Sequence, residues 1–162
     1  YVKAVSAAYR EAADAVCEEK YTPELILSLE KRVSEVFNRG FWDGYYQGAK
    51  LGEWSNVYGN KATKKKRYIG KVTNFFSNLS VAEVLIETGE LKPGDEILIE
   101  GPSTGVLQHI VTEIRTDLTP VDKAVKGEYC SIPVPAGEKL RRSDKVYLWE
   151  DAGNAVKHPK HI

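Results

Sequence analysis

The sequence has no methionine, only two cysteines and no long hydrophobic run. Each scarcity excludes something. No stretch approaches the roughly 18 consecutive apolar residues of a membrane-spanning helix, and the basic, apolar and small-residue succession of a secretory leader is missing at the start. The expectation is a cytoplasmic protein with no membrane partner. Cys17 falls on a helix pattern and Cys130 on a strand pattern. Two isolated cysteines without secretory features are expected to be reduced and semi-buried, a disulfide between them being the less favoured alternative. A chain that opens at Tyr1 and contains no methionine is expected to be a piece of something longer.

Charge of either sign is not in excess: 23 basic residues face 23 acidic ones, so any attraction for nucleic acid must come from local asymmetry. Signatures of chemistry are also missing. Glycine-rich phosphate loops are absent, and Ser103 in GPSTG does not occupy the centre of a nucleophile elbow. His109 has no acidic or cysteine partner at ligand spacing, while His158 and His161 sit in a terminal HPKH expected to be a mobile tail. No catalytic residue, metal or cofactor is predicted.

Hydrophobic content of 42% beside 28% charged residues is that of a globular chain rather than a disordered one. Two helices open it. Val2, Val5, Tyr9, Ala12 and Val16 recur at steps of three and four and gather on one face. Thr22-Pro23-Glu24 then combines an N-cap, a proline suited to the first helical position and an acid at the positive end of the dipole. Ile26, Leu29, Val33 and Val36 or Phe37 form the second stripe, which closes at Arg39-Gly40. Two short helices cannot bury these stripes on each other alone, so a further surface is expected.

After Tyr68 the pattern becomes extended. Candidate strands are Tyr68 to Phe76, Val81 to Glu87, Glu96 to Glu100, Val106 to Arg115, Glu128 to Val134 and Lys145 to Trp149. LKPGDE and GPSTG supply the turns. We therefore expect a mainly β chain with N-terminal helices: two α-helices followed by a small six-stranded closed β-barrel, closure removing the edges that short strands expose. The expected division is a helical part over 1–50, a basic linker over 51–68, the barrel over 69–150 and a tail over 151–162.

Two stretches stand out as candidate contact surfaces. NRGFWDGYYQG places Phe41, Trp42, Tyr45 and Tyr46 among three glycines, flanked by Arg39 and interrupted by Asp43. Packing between domains is the favoured role, with stacking on unpaired bases or a peptide as the rival. Between Glu53 and Glu83 no acidic residue occurs, while Lys61, Lys64, Lys65, Lys66, Arg67 and Lys71 do. That run suits salt-dependent phosphate contact and equally a solvated linker. KLRRSDK, Lys139 to Lys145, adds charge whose position relative to the first run is open.

YVKAVSAAYREAADAV, followed by the capped helix and NRGFWDGYYQG, resembles the C-terminal end of the catalytic region in the collagenase-like peptidase family of unassigned mechanism, the U-32 family. The stretch from Ile69 to Trp149, with VAEVLIETGELKPGDEILIEGP and KAVKGEYCSIPV, is similar to that family's C-terminal barrel and to the second domain of elongation factor Tu. The resemblance implies a noncatalytic C-terminal domain that positions a macromolecular substrate, RNA or protein, for an upstream catalytic region of the same parent chain. The alternatives it leaves are an RNA-binding module of an RNA-hydroxylation factor and a structural or dimerisation barrel. Cys17 and Cys130 do not match the upstream cysteine signature, and no catalytic residue is carried over.

Overall fold

The computed structural model describes residues 1–41 and 60–152. Trp42, Asp43, Tyr45, Tyr46 and the histidines of HPKH lie outside the described residues. The chain forms two compact units, one of Tyr1–Lys65 with Asp151–Ile162 and one of Lys66–Glu150.

The first unit carries α1 (Val2–Cys17) and α2 (Pro23–Glu35). Thr22 caps α2 as expected, its hydroxyl oxygen accepting from the Leu25 amide at 3.3 Å, with Pro23 in the first turn. The Glu24 carboxyl is held below its usual range, first by its own backbone amide and then by Thr22. α1 has no side-chain cap. Its expected stripe is turned: Ala8 is buried, whereas Val2, Tyr9 and Val16 remain exposed. On α2 the buried position is Leu29.

The second unit is built from strands. β1 (Lys64–Phe76) begins within the expected linker and pairs antiparallel with β2 (Val81–Ile86). β3 (Glu90–Leu91), β4 (Glu96–Gly101), β5 (Gly105–Ile110), β6 (Arg115–Thr116), β7 (Thr119–Pro120), β8 (Ala124–Val125), β9 (Tyr129–Pro133) and β10 (Lys145–Asp151) follow. Eight of them form one sheet in the order β5-β4-β10-β1-β2-β9-β6-β7, and β3 pairs with β8 separately.

The expectation of a six-stranded closed barrel is thereby corrected, because the sheet is open and its end strands β5 and β7 do not pair with each other. The physical reason lies in the segments between Val106 and Glu128. The segment expected to run from Val106 to Arg115 leaves the sheet after Ile110, and β7 is two residues long with a proline in it. Proline has no amide hydrogen to continue a ladder, so such a strand ends a sheet.

Alternation along the strands collects one core from Ile69, Val72, Val84, Ile86, Ile97, Ile99, Ile132 and Val146, joined by Leu91 and Ala124 of the smaller sheet. Val111 and Ile114, between β5 and β6, are fully buried there as well. Each buried valine, leucine or isoleucine contributes about 1.5–3 kcal/mol by leaving water. At Gly70 the neighbouring strand comes so close that a Cβ would stand 2.0 Å from the Leu85 carbonyl oxygen, so no other residue fits.

Candidate binding grooves around a buried aspartate

The β4–β5 connection is the GPSTG turn, closed by the register partners Gly101 and Gly105. It packs on the chain that runs from Lys139 into β10. Asp144 joins the two and is 2% exposed, the buried charged residue among the described core. Its carboxylate accepts from the Thr104 hydroxyl and from the Arg141 amide, the latter at 2.8 Å. Its amide donates to the Arg141 carbonyl at 3.2 Å, and its carbonyl accepts from the Val72 amide at 2.8 Å. The Ser143 amide returns to the Val72 carbonyl at 2.8 Å. A Cβ at Gly101 would lie 1.8 Å from the Asp144 carboxylate. Glycine there and aspartate at 144 are therefore one structural device, satisfying a buried carboxylate that would be costly unpartnered.

This device fixes a short turn that displays Arg141 and Arg142 outward. Two open grooves border them. One, of about 700 Å³, is lined by Thr73, Phe75, Tyr129, Lys139 and both arginines. The other, of about 830 Å³, is lined by Pro102, Val106, Lys145, Tyr147 and the same arginines. Among the described residues, Lys139, Arg141, Arg142 and Lys145 make no ion pair.

The first basic run behaves differently. Lys66 donates to the Glu100 carboxylate at 2.8 and 3.0 Å and lies 4.6 Å from the centre of the Tyr147 ring. Arg67 pairs with Glu150 at 3.2 Å, and Lys71 with Glu87 at 2.8 Å. Glu87 is held below its usual range, first by Lys71 and then by the Tyr68 hydroxyl. Lys64 and Lys65 open β1, and each has an interaction partner. Successive strand residues point to opposite faces, so the run does not form one patch. Lys61, Arg39 and Phe41 are exposed in the helical unit, where the Lys61 amide donates to the Asn38 carbonyl at 2.8 Å. The two basic stretches meet at Glu100, which accepts from Lys66 and is the cross-strand partner of Lys145.

The described residues offer no group of three histidine, cysteine or acidic side chains able to hold a metal. Burial, and then Glu128, push the Cys130 thiol up to about 12, so it stays protonated at neutral pH and is unsuited to nucleophilic attack. Cys17 is exposed, and both cysteines are free. Sequence reasoning noticed the charge of KLRRSDK but not the turn within it. The signal was available in Ser-Asp after two arginines, since aspartate accepts readily from nearby backbone amides.

Residues 1–56 match the profile of peptidase family U32. A collagenase of Porphyromonas gingivalis strain W83 is 51% identical over 150 residues, covering 93% of this chain and 36% of that protein. An uncharacterised protease of Methanocaldococcus jannaschii is 33% identical over 154 residues, covering 93% of the chain and 37% of the relative. The first 56 residues thus carry the match to peptidase family U32, and over 93% of its length the chain is similar to a collagenase. It spans little more than a third of the length of these curated relatives. Among solved structures, the C-terminal domain of a Geobacillus thermoleovorans protein assigned to the U32 peptidases aligns with a TM-score of 0.46 at 18% identity, over 50% of this chain and 90% of that one. A bacterial selenocysteine-specific elongation factor aligns with a TM-score of 0.41 at 18% identity, over 81% of this chain and 25% of that one. No helix among the described residues is long and apolar enough to cross a membrane.

Proposed function

We propose that this chain is a noncatalytic C-terminal part of a longer collagenase-like U32 peptidase, and that its β unit positions a macromolecular substrate for the catalytic region. The observation that carries the reading is the pair of open grooves meeting at Arg141 and Arg142 on a turn fixed by Asp144. A rigid, open, two-sided surface suits an extended polymer better than a small molecule, for which an enclosed pocket is the usual solution. The relatives named as collagenase and protease favour protein as that polymer.

The test is gelatin cleavage by the full-length protein beside its R141A/R142A variant. A positioning role predicts a KM raised about tenfold with kcat little changed, because binding common to ground and transition states is lost. Unchanged kinetics in the variant would remove the reading. RNA, the other substrate expected from the sequence, is tested in parallel by anisotropy titration of transfer RNA at low ionic strength. Binding that collapses when Lys64, Lys65 and Lys66 become glutamate would move the assignment to RNA.

A further inference from the structure

We infer that the two grooves form a docking site for an acidic, partly apolar segment of polypeptide, held by Lys139, Arg141, Arg142 and Lys145. The inference rests on the positioning role above and names the chemistry of what is positioned. Elsewhere in the β unit six of the seven other basic side chains are matched, Lys126 being the exception: Lys66 with Glu100, Arg67 with Glu150, Lys71 with Glu87, Lys92 and Lys123 with Glu90, Arg115 with Glu113. Four cations within seven residues have no such partner among the described residues.

The acidic groups lining the grooves are already engaged. Glu83 accepts from the Thr73 hydroxyl at 2.6 Å, Glu100 accepts from Lys66, and Asp144 is buried under Thr104 and the Arg141 amide. The loop therefore presents donors to an external carboxylate. The guanidinium fork matches a carboxylate with two parallel hydrogen bonds. Because the turn is pinned from beneath, little backbone order is lost on binding.

Polypeptide is favoured over nucleic acid by two observations. Residues 66–150 hold eleven lysines and arginines against thirteen aspartates and glutamates, so the unit is net acidic. A long polyphosphate would be repelled wherever it extended past the loop, whereas a short acidic segment meets only the local cations. The walls are also part apolar, with Phe75 and Tyr129 in one groove and Pro102, Val106 and Tyr147 in the other. Such walls suit a strand-like segment whose acidic and aromatic side chains alternate.

The experiment is anisotropy titration of the whole 162-residue chain with a fluorescein-labelled peptide of alternating glutamate and phenylalanine. Its lysine counterpart and an oligouridylate of equal length are the comparison probes. The glutamate peptide is expected to bind and the lysine peptide not. R141E/R142E should weaken binding about tenfold or more, R141Q/R142Q less, and K126E, outside both grooves, not at all. Circular dichroism of each variant separates lost binding from lost fold. No binding of the glutamate peptide, indifference to both arginine pairs, or tighter binding of oligouridylate through the same arginines would each overturn the inference. If gelatin cleavage still depends on Arg141 and Arg142 while the peptide is not bound, positioning stands and the acidic class falls. If the peptide binds and cleavage ignores the arginines, the docking site stands and the positioning role falls.

Discussion

Cys17 and Cys130 carry the same thiol in opposite surroundings, one exposed and one buried. With its thiol pushed up to about 12, Cys130 presents almost no thiolate at neutral pH. Iodoacetamide labelling followed by mass spectrometry should modify Cys17 in the native protein and Cys130 only after denaturation. Tyr68 offers a second residue-level test. Its hydrogen bond to Glu87, and then burial, raise its phenol from 10.0 to about 12. A raised folded value means that this stabilisation is complete below the free tyrosine value and is lost as pH climbs from about 10 to about 12. Ultraviolet titration should show Tyr68 ionising late, and E87Q should bring it back toward the ordinary value. Glu87, shifted the other way, stabilises the fold above the usual carboxylate range and loses that contribution as pH falls through it. At Asp144, alanine substitution orphans the Thr104 hydroxyl and the Arg141 amide, and the cost by chemical denaturation should be about 2–4 kcal/mol.

The start of α2 was readable because the chemistry that sets it is local, whereas its end was not: the helix stops at Glu35, with Val36 already extended, rather than at Arg39-Gly40. Thr22, Pro23 and Glu24 lie within one turn of the groups they satisfy, and the structure begins α2 at Pro23. Thr22→Ala should cost the helical unit about 1 kcal/mol, measured by the loss of helical ellipticity on heating. Strand identity was also legible from period-two burial, as in β2, where Ala82, Val84 and Ile86 are buried in turn. Closure was not, because it depends on which distant segments pair. The two-residue β3 and β8, which pair away from the main sheet, carry no periodicity that would reveal them. The turn of α1 that leaves Val2, Tyr9 and Val16 exposed was equally hidden, since five apolar positions at helical spacing do not say which of them meets a partner.

Taken as a whole, the chain divides its burial unevenly. The helical unit buries Ala8 and Leu29 among its described residues, while the rest of the buried core belongs to the β unit. Short helices without an extensive packed face are marginal. Hydrogen exchange should therefore find the amides of α1 and α2 exchanging well before those around Ile69, Val84, Ile97 and Ile132. The likeness to peptidase family U32 was legible at this scale through the order of two motifs. The basic site was legible only as composition. Lys66, Arg67 and Lys71 sit close together in sequence, but Glu100, Glu150 and Glu87 reach them only across strands. A cluster of cations without an ion pair among the described residues lay instead in the seven residues from Lys139 to Lys145.

The pinned turn separates what may change from what may not. Arg141 and Arg142 point away from the fold, so other side chains can stand there without disturbing it, whereas Gly101, Thr104 and Asp144 are locked to one another. Random mutagenesis with selection for folding alone should tolerate most replacements at the first two positions and almost none at Gly101 and Asp144. Lineages that turn to new substrates can then retune their preference by single exchanges on an inherited frame.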